Sequence, residues 1–143
     1  MRFLSMIRVD EHTGQVPSEQ LMQDMGKLMD EMTREGTLVR TAGLRPSAEG
    51  RRVRLHNGQL STIDGPFSET KELIAGFWLW QVKNMEEAVE WARRCPDPMP
   101  GEDAELEIRQ IASAEDFGAE FTPELQEQEN KLRSELERQQ KKA

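Results

Sequence analysis

Residues 2–9 place Phe3, Ile7 and Val9 on one face of an extended segment and Leu4 and Met6 on the other. That period of two predicts a strand with both faces partly apolar. The period changes after the polar loop 10–16. Leu21, Met25, Leu28, Met29 and Met32 recur at helical spacing between Pro17-Ser18, a start signal, and Gly36, a stop signal. They predict a helix whose methionines form a core-facing stripe, although the same residues could line an adaptable groove.

Strand patterns follow at 37–44 and 51–56, and Asn57-Gly58 marks a two-residue hairpin turn returning through 59–63. In this ribbon Val53 and Leu55 share one face while Arg52, Arg54 and His56 share the other, which predicts an edge or a position over a cleft. Segment 75–82 differs, because Trp78, Trp80 and Val82 point one way and Phe77 and Leu79 the other. Such a strand must be covered on both sides. Asn84 caps a second helix, with Glu87 completing a capping box and Met85, Ala88, Val89, Ala92 and Cys95 on its inner face. Pro96, Pro98, Pro100 and Gly101 end it, and 104–111 alternates as a last strand with Leu106 and Ile108 inward.

Beyond residue 111 the apolar pattern thins. The stretch 112–121 reads as a linker and Thr122-Pro123 as a helix start. The spacings Glu127–Lys131, Glu129–Arg133 and Glu137–Lys141 support a solvated helix, whose seam is only Leu125, Leu132 and Leu136. The predicted organisation is a domain over 1–111 with a linker and C-terminal helix over 112–143.

Strand, helix, strand, inserted hairpin, strand, helix, strand is an α+β order in which two helices cover one face of an antiparallel sheet. The other face is also apolar. In a chain of 143 residues an identical subunit is the simplest cover, so a sheet-to-sheet homodimer is expected.

Charged residues make up 32% of the chain and the formal net charge is −8, which argues against direct nucleic-acid binding. Arg40, Arg45, Arg51, Arg52 and Arg54 form a local basic exception that admits a small anionic ligand or a solvated strand face. The single Cys95 excludes an intrachain disulfide and fits a reducing, cytoplasmic setting. No apolar run reaches the ~20 residues of a membrane span, and two histidines with one cysteine do not make a usual zinc site. No cofactor is expected, and an all-carboxylate Mg²⁺ or Ca²⁺ site stays open without a spacing to support it.

Asp64-Gly65-Pro66-Phe67, continued by Ser68-Glu69-Thr70-Lys71-Glu72, resembles the signature of the DGPF-domain proteins within the YCII-related family. Gly43-Leu44-Arg45-Pro46, the Asn57-Gly58 turn, Trp91-Ala92-Arg93-Arg94-Cys95-Pro96 and Glu107-Ile108-Arg109 extend the likeness over residues 1–111. The resemblance implies a ferredoxin-like fold assembled as a dimeric α/β barrel, and for some members a link to alternative sigma factors. Related proteins carry a His and Asp pair proposed for acid–base work. Here Gln20 stands near the histidine's place and only Asp97 matches the aspartate, so the resemblance supplies no complete pair.

The residues themselves offer other candidates. Asp64 can serve as a general acid or base if a dimer cleft withdraws it from water, or as an Asx-type cap of the turn. His12, in the loop after the first strand, suits proton transfer near neutral pH or is simply solvated. Lys71 can bind an anion or pair with Glu69 or Glu72. Phe67, Trp78, Arg52 and Arg54 complete the candidate substrate-binding set, with Trp78 equally suited to the core. A non-catalytic interaction module using the C-terminal helix is the competing expectation.

Overall fold

The computed structural model describes residues 1–11, 16–67, 73–98, 100–101 and 103–142. Among them the elements run β1 (Arg2–Arg8), α1 (Glu19–Arg34), β2 (Leu38–Gly43), β3 (Arg51–His56), β4 (Gln59–Asp64), β5 (Ile74–Gln81), α2 (Met85–Arg93), β6 (Glu105–Gln110) and α3 (Pro123–Lys142). The chain divides into two compact units, Met1–Ile111 and Ala112–Ala143.

In the first unit four strands form an antiparallel sheet in the order β2-β5-β1-β6, the ferredoxin-like arrangement. The pairs Phe3↔Trp80, Ser5↔Trp78 and Ser5↔Ile108 put these side chains on one face, following the period-two rule. Leu28 and Met32 of α1 and Ala88 of α2 join Phe3, Trp78, Trp80 and Val82 in the buried core, so both helices cover that face. The Trp78 and Trp80 rings stack with centroids 5.6 Å apart.

The helix ends follow their residues. Ser18 Oγ accepts from the Leu21 N–H at 3.1 Å, and Gly36 at φ 74° lets the chain leave α1. Asn84 Oδ1 accepts from the Glu87 N–H at 2.9 Å, while the Glu87 carboxylate reaches back one residue further than a capping box, to the Lys83 N–H at 2.7 Å. Met85, expected inside, is exposed because it opens the first turn of α2 beyond the edge of the core.

The opposite sheet face carries Leu4 and Met6 against Leu79 and Phe77. Arg8 and Glu107 bridge at 3.2 Å beside it. Within one chain the sheet stays open and does not close into a barrel, since four strands end in two free edges. Strands β3 and β4 form a separate two-stranded sheet whose turn has Asn57 at φ 49° and Gly58 at φ 76°, the positive values a type I′ turn needs. On this ribbon Val53, Leu55 and Leu60 are exposed.

The second unit is a short 3-10 turn, Ala114–Phe117, and α3. Ser113 and Asp116 close a capping box on the turn, and the Phe117 and Phe121 rings meet at 5.5 Å. Thr122 Oγ1 accepts from the Leu125 N–H at 3.3 Å. Lys131 pairs with Glu127 and Arg133 with Glu129 as their spacing predicts, whereas Arg138 turns to Glu135. Glu137–Lys141 is not among the ion pairs of the described residues. Leu125, Leu132 and Leu136 are exposed.

Candidate functional site

The chain leaves β1 through Val9, Asp10 and Glu11 and meets the segment that follows β2. Pro46 opens a 3-10 turn, Ser47–Glu49, that points both polar groups of Ser47 at Glu11. The Ser47 N–H donates to Glu11 Oε1 at 2.8 Å and the Ser47 hydroxyl to Glu11 Oε2 at 2.6 Å. The same hydroxyl oxygen accepts from the Phe67 N–H at 3.2 Å. Ser47 is 8% exposed, so one buried hydroxyl ties the end of β1, the turn and the segment after β4 together.

Gly65 fits this junction because it has no side chain. A Cβ there would lie 1.7 Å from the Ser47 carbonyl oxygen, a separation no packing adjustment tolerates. The Gly65 N–H donates to the Gly50 carbonyl at 3.1 Å, and the Gly50 N–H closes the turn on Ser47 O at 2.9 Å. The Gly65–Pro66 bond is cis. Thus the Asp64–Phe67 segment is seated on the Ser47 turn by backbone contact.

Phe67, half-buried, carries the Arg52 guanidinium over its ring at 4.0 Å, a cation–π contact. Arg45 and Glu49 form a two-point pair, Nε–Oε2 at 2.9 Å and Nη2–Oε1 at 2.8 Å. These groups, with Glu11, Ser47 and Leu73, wall a pocket of about 460 Å³.

Of the residues singled out in the sequence, Phe67 and Arg52 are brought together here. Asp64 lies next in the chain, but its carboxylate takes Arg51 Nε at 2.8 Å across the β3–β4 pair, and its side chain is 75% exposed. The withdrawal from water that an acid–base role needs is therefore not met within the single chain. Arg54 lies further along the ribbon, opposite Ser61, and is exposed. Trp78 is 3% exposed in the core and borders a different pocket, of about 490 Å³. His12 and Lys71 lie outside the described residues. Glu11 and Ser47 were not foreseen. Pro46-Ser47 after a strand is a turn signal that points to Ser47, but nothing local marks Glu11, whose role comes from a partner 36 residues away.

Cys95 donates to the Pro96 carbonyl at 3.3 Å. Burial, aided by the Asp97 charge, pushes its thiol up to about 11, which favours the neutral thiol near pH 7. Among the described residues no three His, Cys, Asp or Glu side chains are grouped to hold a metal ion. No helix among them is long and apolar enough to cross a membrane.

Known proteins place the chain. Residues 1–112 match the YCII-related domain. Over 94 residues the chain is 31% identical to an uncharacterized protein of Rhizobium meliloti (strain 1021), spanning 66% of this chain and 75% of that one. With the domain match covering the whole sheet, both core helices and the Glu11–Ser47–Phe67 junction, this protein belongs to the YCII-related family.

Proposed function

We propose that this protein binds a small anionic molecule with a flat apolar part in the pocket beside Phe67. The observation that carries this reading is Arg52 laid over the Phe67 ring in a pocket whose floor is braced by Glu11 and Ser47. Arg52 supplies positive charge at the wall, where Arg45 is paired with Glu49, and Phe67, Leu44 and Leu73 supply apolar surface. Ser47 itself is spent as a brace, since its hydroxyl both donates and accepts. In an enzymatic form of the reading, Asp64 and His12 carry proton transfer and Lys71 and Arg54 add charge toward the ligand. A second copy packed on the open sheet face would then supply the cover that withdraws Asp64 from water. The unpaired Cys95 fits a cytoplasmic setting.

Calorimetric titration with benzoate and with the neutral benzamide tests this. Benzoate is expected to bind and benzamide to bind more weakly, with Arg52→Ala weakening benzoate by about 10-fold, the size of a charged hydrogen bond. Equal binding of both probes, or Arg52→Ala without effect in a folded protein, removes the reading. Asp64→Asn that leaves binding and any turnover unchanged removes the catalytic form alone.

The exposed Leu125, Leu132 and Leu136 of α3 favour a second reading, a non-catalytic interaction module, which the family resemblance extends to sigma-factor-dependent transcription. Its partner binding would be lost on removal of residues 123–143 while the pocket titration stayed unchanged.

A further inference from the structure

Across the helix-facing side of the sheet the side chains fall in rows. One row is Leu38, Trp80 and Phe3, and the next is Thr41, Trp78, Ser5 and Ile108. The row beyond them runs Gly43, Gly76, Ile7 and Leu106. Two glycines therefore stand side by side where core-filling side chains stand in the other rows, directly beside the Trp78 ring position. Their surroundings differ. A Cβ on Gly76 would meet the Ala42 carbonyl oxygen at 2.9 Å, so Gly76 is required by the close approach of β2 and β5. A Cβ on Gly43 would meet nothing within 4 Å. Gly43 is therefore not explained by packing, and the space above it is open.

That space belongs to the pocket of about 490 Å³, inside the ~300–1,000 Å³ range of small-molecule sites. Trp78, Ile7 and the α1 residues Met25 and Met29 give it apolar walls, and methionines adapt to a guest's shape. Thr41, the one hydroxyl side chain of its described lining, is engaged with the Phe77 carbonyl at 3.1 Å. Asp10 and Glu11 are the charged side chains of its described lining, and both are acidic. Glu11 is held in place by its two bonds from Ser47, so its charge is fixed at the wall.

We propose that this notch is a second ligand site, for an apolar molecule carrying a protonated amine. The apolar body lies over Gly43 against Trp78, Met25 and Met29, and the ammonium group meets the carboxylates of Asp10 and Glu11. The charge preference is opposite to that proposed for the pocket beside Phe67, whose charged lining is Arg45, Arg52, Glu11 and Glu49, and the site does not depend on that reading. A wall containing Glu11 and Leu44 is common to both pockets.

Three probes of one shape and different charge test it by calorimetry: phenylpropylamine, phenylpropanol and phenylpropionate. The amine is expected to bind saturably with the alcohol weaker, and the anion about 10-fold weaker or worse, as two nearby carboxylates demand. Gly43→Val fills the notch and abolishes amine binding while Arg52→Ala leaves it intact, which separates the two sites. Should Gly43→Val fail to fold, Met25→Phe fills the same space from α1 and carries the same expectation. Asp10→Asn narrows the difference between amine and alcohol. Amine binding unchanged in a folded cavity-filling variant, no binding of the amine, or phenylpropionate binding as tightly as phenylpropylamine overturns the proposal.

Discussion

Ser47 and Gly65 show how much of this site is settled by single atoms. The Ser47 hydroxyl joins Glu11 to the Phe67 backbone, and the Gly65 hydrogen leaves room for the Ser47 carbonyl. Gly65→Ala is expected to destabilise the first unit by roughly 3 kcal/mol, the upper range for overpacking, because backbone on both sides must move. Urea unfolding measures it, and an unchanged midpoint would show that the junction is looser than described. The aspartate before this glycine drew notice in the sequence as a possible acid or base. Its observed partner, Arg51, follows from strand register, which a linear motif does not display. Phe67 was legible in the sequence as the end of the Asp64–Phe67 motif. Glu11 was not, since its meaning comes from a turn that folds onto it.

At the scale of elements, α1 and α2 are linked outside the core by Glu31 and Arg94. The hydrogen bond from Arg94 is the main cause that lowers the Glu31 carboxyl below the usual carboxylate range, with the Arg94 and Arg34 charges adding and desolvation opposing. A carboxyl lowered by folding contributes stability that is present above its unfolded value and is lost as pH falls through the folded one. Arg94→Gln is therefore expected to return Glu31 toward the ordinary range and to flatten the acid limb of the stability profile. Carbon-detected NMR titration of Glu31 checks this, and an unshifted Glu31 in the parent protein would count against the pair. Both side chains are nearly half exposed, so the contribution is screened. Helix limits were readable to within two residues because caps are local chemistry. The pairing of β5 between β1 and β2, which places the hairpin outside the main sheet, was not readable from spacing.

For the whole molecule, the open sheet face poses the main physical question. Leu4, Phe77 and Leu79 lie half-buried on it beside the buried Met6, and a sheet face this apolar gains by being covered completely. We expect a sheet-to-sheet homodimer, which would complete the α/β barrel that the single chain leaves open. Sedimentation in dilute solution should give twice the chain mass. Leu79→Arg should shift it to monomer with helix content retained. A parent protein that is monomeric at micromolar concentration would end this proposal. The same assembly would decide whether Asp64, exposed in one chain, meets a cleft.

Periodicity and turn chemistry in the sequence were enough to determine the strands, the helices, the Asn57-Gly58 hairpin and the doubly apolar β5, because each depends on neighbours within a few residues. The sheet order, the Glu11–Ser47–Phe67 brace and the notch over Gly43 were decided only by tertiary structure. Each unites residues 20 to 36 positions or more apart, or depends on a missing Cβ whose surroundings no local pattern encodes. Local free energies specify which segments are helix or strand. A candidate site exists only where those segments are brought together, and here that happens at the end of β1, where a serine turn and a pair of glycines leave two pockets that share a wall containing Glu11 and Leu44.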